Sequence, residues 1–437
     1  MKKHFLSLLL VLTCAASALF LPACSGPSGA SSAASKAQQS SAASKKASGD
    51  DLSGEITFAF WDANQQSGME ALIDAYTAKH PKVKINISVT PWDQYWQVLG
   101  AATKGGMPDV FWMHSNNFVD YAKKGLLMDC TDLFDKANFP EGLSKVFQWE
   151  GKQLGVPKDF DTVALVYNKT LFDKAGLAYP DDTWDWDTLL DNAKKLTKDG
   201  VYGFCAPGNE DQSGYLIPIY QAGGYTVKMG EKKSGYADPK SIQGLQWWID
   251  LQKKYKVSPT QQQMTEMSQH DYFKGGKAAM VFLGSWEIKG YIDAMKELGQ
   301  EFDIAVLPKG PTGKRVTIYN GLTYAGYKDT KQPEIVKSFL TFLGTKEAAE
   351  VMGKSGVAIP AFKGTQDTWY NNFPGHNVKA YPDMISYGIQ YPFSITKAEW
   401  GAEEKSMIAE LYTQKNPDIA AQMKKIQQTV DSYLAKE

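Results

Sequence analysis

From Glu55 to Met113 the chain switches between two hydrophobic rhythms. Glu55-Ile56-Thr57-Phe58-Ala59-Phe60 reads as a strand, and Val83, Ile85, Ile87 and Val89 alternate with polar residues as a second. Between them Met69, Leu72, Ile73 and Tyr76 recur at the spacing of one helix face, and Pro81 ends the run. Ser67-Gly68-Met69-Glu70 has the serine-to-glutamate spacing of a capping box, so this helix is expected to be capped at Ser67. A further helix is expected around 91–104 and a third strand over Asp109–Met113. Strand, helix, strand, helix, strand predicts an α/β fold on a doubly wound sheet.

The alternation resumes downstream. Val163-Ala164-Leu165-Val166-Tyr167 reads as a fully buried strand, and Ala278–Phe282 and Phe302–Leu307 as two more. Thr183 is placed to cap a helix running to Leu196, with Trp186, Leu189, Leu190 and Ala193 on one face. Ile335, Val336, Phe339, Leu340 and Leu343 form another stripe. Asn416-Pro417-Asp418 supplies a cap, a first-turn proline and an acidic residue for a C-terminal helix carrying Ile419, Met423, Ile426, Val430 and Leu434. No internal repeat is visible, which argues against a solenoid.

Composition narrows the partners. A chain of 437 residues suggests two or three domains at about 100–200 residues each. A formal net charge of −1 argues against nucleic acid, which needs a clustered cationic surface. Of the 47 basic residues only Arg315 is an arginine, so at most one guanidinium fork is available to grip a carboxylate or phosphate. The 12 Trp and 22 Tyr favour a ligand with flat apolar faces.

The N-terminus reads as an address. Lys2 and Lys3 precede the apolar run Leu6–Phe20, which is shorter than the ~20 residues of a membrane span and reads as a secretory signal. It ends in Leu21-Pro22-Ala23-Cys24, which resembles a bacterial lipobox. That resemblance implies cleavage after residue 23 and a lipid on the Cys24 sulfur. From Ser25 to about Asp51 the chain is rich in Ser, Ala and Lys without an aromatic residue, as in a flexible tether. Cys14 leaves with the signal, and Cys130 and Cys205 are expected to be buried and unpaired.

Familiar catalytic and metal motifs are absent. The five histidines show no metal-ligand spacing, there is no CxxC or GxSxG, and Gly310–Lys314 lacks the glycine and hydroxyl of a phosphate loop and reads as a hairpin turn. No metal or cofactor is therefore expected. What stands out is aromatic and carboxylate residues where predicted strands end or turns begin, and open α/β sheets bind ligands beyond the carboxyl ends of their strands. These are Trp61 and Asp62, then Trp112, His114, Ser115 and Asn116, then Asp159 and Asp161, and finally Trp286 and Glu287. Asp211, Tyr215 and Trp400 are further candidates, whereas Trp92, Trp96, Trp149, Trp247 and Trp248 read as packing. Indole faces against ring C–H groups, with carboxylates and amides on hydroxyls, describe a carbohydrate site.

Several segments together carry a family resemblance. Gly-Met-Pro-Asp-Val-Phe-Trp (106–112), Gly-Val-Pro-Lys-Asp-Phe-Asp-Thr-Val-Ala-Leu-Val-Tyr-Asn-Lys (155–169), Gly-Lys-Ala-Ala-Met (276–280), Gly-Ser-Trp (284–286) and Gly-Val-Ala-Ile-Pro (356–360) are similar to extracellular solute-binding proteins of carbohydrate ABC importers, of the maltodextrin-binding type. The resemblance covers nearly all of 55–437. It implies a two-lobed periplasmic-binding-protein-like fold with ligand in the interlobe cleft and hinge closure. The implied lobes are 54–162 with 309–356, and 163–308 with 357–437, after a signal at 1–23 and a tether at 24–53. Cleft positions implied by the resemblance fall on Trp61, Asp62, Ser115, Asn116, Asp161, Asp211, Trp286 and Trp400. Ser115-Asn116 departs from the acidic-basic pair often found there, which favours a neutral sugar other than maltodextrin. The implied protein is a monomeric, non-enzymatic sugar carrier on the extracellular face of the cytoplasmic membrane, partnered with an ABC permease. The alternatives are an extracellular glycoside hydrolase, or the same fold binding a polyol, peptide, metal chelate or phosphodiester.

Overall fold

The computed structural model describes residues 52–208 and 211–437; the expected signal, Cys24 and tether lie outside the described residues. The strands, in chain order, are β1 (Gly54–Phe60), β2 (Val83–Val89), β3 (Val110–His114), a short hairpin of β4 (Gln148–Trp149) and β5 (Lys152–Gln153), β6 (Val156–Asp161), β7 (Val163–Asn168), β8 (Met280–Gly284), β9 (Phe302–Ala305), β10 (Thr317–Gly326), β11 (Ile359–Pro360) and β12 (Gly388–Gln390).

The first lobe is built on the sheet β11-β6-β10-β3-β1-β2, with β12 added on β10. β1 lies parallel to both β2 and β3. Ile56, Phe58 and Phe60 point into one core with Met69, Leu72 and Phe339, while Ala59 joins Tyr95, Phe111 and Met113 on the other side. Covering both faces is what a parallel sheet requires.

The second lobe holds a smaller sheet, β8-β7-β9. Alternate residues of β7 feed two cores, Val163 and Leu165 with Trp248 and Trp400, Ala164 and Val166 with Tyr291 and Trp369. Both of its pairings are antiparallel, so the doubly wound expectation holds only for β1 to β3. The element alternation determines the layers, but a strand that returns after a long helical excursion can enter in either direction.

The two sheets meet where β6 passes into β7 through the single residue Thr162. Beside it, Thr317 at the start of β10 exchanges two hydrogen bonds with Val163, its Oγ1 accepting from the amide at 2.9 Å and donating to the carbonyl at 3.0 Å. β12 pairs with β10 from Thr317 to Tyr319.

Helix starts differ from the expected caps. Helix Gln66–Thr77 has no side-chain cap, and Asp62 instead caps the short turn before it by accepting from Asn64 N at 2.9 Å. Helix Trp186–Leu196 is capped by Asp185 rather than Thr183, and Ile419–Leu434 by Asp418 rather than Asn416. In each case the carboxylate nearest the first free amides takes the cap, adding charge to the hydrogen bond at the positive end of the helix. Gly310 N bonds Lys314 O at 2.9 Å and closes a turn, but β9 and β10 on either side of it lie in different sheets, so it does not join a hairpin. Cys130 and Cys205 are buried and free.

Candidate ligand cleft

The carboxyl ends of β1, β2 and β3 lie side by side, and aromatic residues collect there. Trp61, half-buried, meets Trp92 edge-on at 5.1 Å, Tyr95 at 5.3 Å and Trp112 at 5.1 Å. Trp92 follows β2, opening helix Trp92–Ala102, and stands edge-on to His114 at 5.2 Å. The Trp96 Nε1 beside them is buried and has no hydrogen-bond partner, nor has Asn116 Oδ1.

β3 ends at His114, which caps helix Ser115–Lys123 by accepting from Asn116 N on Nδ1 at 3.2 Å. Burial lowers the imidazole to about 3, with Asp211 pulling it up and Lys405 and Lys397 pushing it down, so the ring is neutral. A neutral ring that accepts on Nδ1 carries its proton on Nε2. The Asn320 amide lies between that nitrogen and Ser115 Oγ, and serves both when its oxygen faces the ring.

Asp161 ends β6. Its Oδ1 accepts from Gln212 Nε2 at 2.5 Å and from Asn320 N at 3.1 Å, joining the second lobe to the first. Burial and the neighbouring Asp159 raise its carboxyl to about 7, against the pull of Gln212, Asn320 N and Lys158. Across the cluster stand Asp211, Tyr391 and Lys405. Asp211 Oδ1 accepts from Gln212 N at 2.8 Å, and Oδ2 accepts from the Tyr391 hydroxyl and from Lys405 at 3.1 Å. Burial raises Asp211, but Lys405, Lys397 and the Tyr391 hydroxyl outweigh it and hold the group near 2. The Tyr391 ring lies edge-on to His114 at 5.9 Å.

The structure thus brings Trp61, His114, Ser115, Asn116, Asp161 and Asp211 into one cluster. Of the other sequence candidates, five are taken up by cores, a buried pair or a cap and two stand beside the strand crossing. Trp112, Tyr215 and Trp400 are fully buried in the cores. Trp112 stacks on Phe60 at 5.0 Å, and Trp400 donates to Ser394 Oγ at 3.0 Å beneath the Lys397 ammonium. Asp159 is spent on a buried pair with Lys158 and on Leu322 N, and Asp62 on its cap and on Gln65. Trp286 and Glu287 stand half-buried at the end of β8, beside Thr162, to which Ser285 N donates at 3.1 Å. A Cβ on Gly284 would sit 2.1 Å from the Trp286 ring, so only glycine lets that indole fold back over the strand end.

Sequence reasoning missed Trp92, Gln212, Asn320, Tyr391 and Lys405. Trp92 carried a usable signal, since it stands three residues past the end of a parallel strand. The others reach the cluster from distant parts of the chain. Arg315 donates to Leu307 O and Asp182 O and so is tied to the backbone. Among the described residues no group of His, Cys, Asp and Glu is arranged to hold a metal.

Residues 62–350 match the family of bacterial extracellular solute-binding proteins. The chain belongs to that family. A galactooligosaccharide-binding protein of Bacillus subtilis is 26% identical over 367 residues, 80% of this chain and 79% of the relative. The diacetylchitobiose binding protein DasA of Streptomyces coelicolor is 25% identical over 339 residues, 75% of this chain and 78% of the relative. Among solved structures, the ABC substrate-binding protein Lmo0181 of Listeria monocytogenes in complex with cycloalternan superposes with a TM-score of 0.80 at 23% identity, over 88% of this chain and all of that one. The solute-binding protein therefore has the two-lobed fold of that structure, and the cluster lies where its two sheets approach each other.

Proposed function

We propose that this solute-binding protein captures a neutral sugar or oligosaccharide and delivers it to an ABC permease, without acting on it chemically. The observation that carries this reading is the joining of an aromatic wall, Trp61 and Trp92, to uncharged hydrogen-bonding groups, His114, Asn116 and Gln212. Trp96 Nε1 and Asn116 Oδ1 are a donor and an acceptor that a hydroxylated ligand can satisfy. Relatives that bind galactooligosaccharide and diacetylchitobiose support a saccharide. We assign ligand contact to Trp61, Trp92, Asn116, Asp161, Gln212 and Trp286. The lobes divide at Thr162, with 54–161 and 320–360 in one and most of 163–316 and 361–437 in the other. Cys24 would carry the lipid anchor, placing a monomeric carrier on the outer face of the cytoplasmic membrane.

Hydrolysis is the competing reading, because Asp161 and Asp211 have carboxyls displaced in opposite directions. Both oxygens of Asp211 are already engaged, so it does not serve as a free second carboxylate to Asp161. A thermal-shift panel of mono- and oligosaccharides tests the assignment. The cognate sugar at 100 times its Kd should stabilise by about 2.7 kcal/mol. A panel in which no sugar acts while a peptide or polyol does overturns the carbohydrate reading. Release of chromophore from nitrophenyl glycosides would overturn the non-enzymatic one.

A further inference from the structure

We propose that a crevice on the reverse face of the crossing strands is a second small-molecule site, fitted to a neutral hydroxylated ring of one or two sugar units. Successive residues of a strand face opposite ways. On β6 and β10, Asp161 and Asn320 serve the cluster described above, and their neighbours Phe160 and Tyr319 point away from it. There Phe160 and Tyr319, with Leu143, Tyr370 and Ile385, line a cavity of about 730 Å³. That size lies within the roughly 300–1,000 Å³ of small-molecule pockets.

The polar groups in the crevice define the ligand. Lys363 is already used, donating to Ala137 O at 2.9 Å, as is Gln366, donating to Pro360 O and Phe362 O at 2.8 Å. The hydroxyls of half-buried Tyr319 and Tyr370 and the carboxylate of exposed Asp367 make no side-chain hydrogen bond among the described residues and are open to a ligand. Burial, with Asp367 and Asp383 nearby, raises the Tyr370 hydroxyl to about 12, so it remains a donor at neutral pH. The lining therefore offers three flat ring faces, two phenolic hydroxyls and one acceptor carboxylate. An anion meets Asp367 with the only lining cation turned to the backbone. A ring with an apolar C–H face and an edge of hydroxyls matches every unused group. Gly388 contributes by its lack of a side chain, since a Cβ there would lie 2.6 Å from the Tyr319 ring.

The choice of sugar probes rests on the carbohydrate reading of the chain; the site itself is separate from the cleft. Isothermal titration with maltose, galactobiose and N,N′-diacetylchitobiose should give two binding events for the probe that binds the cleft. The triple variant Tyr319→Phe, Tyr370→Phe, Asp367→Asn should weaken one event tenfold or more and leave the other unchanged. Trp286→Ala should do the reverse. All three substitutions remove unpartnered polar groups and keep the ring faces, so the melting temperature should stay native. One event in the wild type, or two events both unmoved by the triple variant, overturns the second site and spares the cleft. Absence of any binding by all three probes, with a peptide or polyol binding instead, overturns the carbohydrate reading and this proposal with it.

Discussion

Asp161→Asn should change how stability depends on pH. In the folded protein burial and Asp159 raise the Asp161 carboxyl from an ordinary 3.8 to about 7. The native state therefore binds this proton more tightly than the unfolded chain does. Stability contributed by the protonated group is fully present below about pH 4 and is lost as pH rises to about 7, after which it changes no further. Each pH unit in that window is worth about 1.36 kcal/mol, an upper figure of about 4 kcal/mol over three units. The carboxylate keeps some contact with solvent, and screening reduces this to about 2 kcal/mol. Asparagine retains an oxygen to accept from Gln212 and Asn320 N but carries no charge. Asp211, held near 2, contributes in the opposite sense at lower pH, so the informative quantity is the difference between variant and wild type. Denaturant unfolding at fixed pH values from 4 to 8 should show the two proteins nearly equal at pH 4 and the variant about 2 kcal/mol more stable at pH 8. A difference that stays constant across the range would refute the claim that folding raises the Asp161 carboxyl.

Three further outcomes are expected. Trp286→Ala should lower sugar affinity by roughly 30- to 1,000-fold, from about 2–4 kcal/mol of lost ring contact and apolar burial, with little change in melting temperature; a large fall in melting temperature with affinity retained would make it a packing residue. Lys397→Met should destabilise by about 3–5 kcal/mol in urea, because Glu404, 2% exposed, loses the ammonium at 3.2 Å and keeps only the Tyr236 hydroxyl at 2.6 Å; adding Glu404→Leu should recover most of the loss, and a second loss of equal size would sink this account. Cys130 and Cys205 should resist a thiol reagent until the chain is unfolded, since burial raises both thiols, Cys130 to about 12; fast labelling of the native protein would contradict their burial.

How much was legible in the residues is clearest at β1 to β3. Ile56, Phe58 and Phe60, and the alternation from Val83 to Val89, set out strands whose faces the structure buries as expected. Trp61 was singled out by the same local signal, an aromatic residue after a strand end, whereas Asp161 was singled out as preceding the strand at Val163 and in the structure is the last residue of β6. Trp112 shows the limit of that signal. It lies inside β3, with Met113 and His114 still in register against β10, so its indole packs on Phe60.

By itself, the order of residues determined the local elements, the burial of both cysteines and the strand ends where polar and aromatic groups gather. Those properties depend on neighbours a few positions apart, where spacing decides which side chains share a face. Tertiary structure alone decided the antiparallel second sheet, the partners of Asp161 and the neutral state of His114. Gln212 and Asn320 reach Asp161 from 51 and 159 residues away. Tyr391, from the other end of the chain, lies edge-on to His114 and helps to cover it. Contacts at such separations leave no periodic trace, because the free energy that places them is the packing of two lobes rather than the preference of any segment.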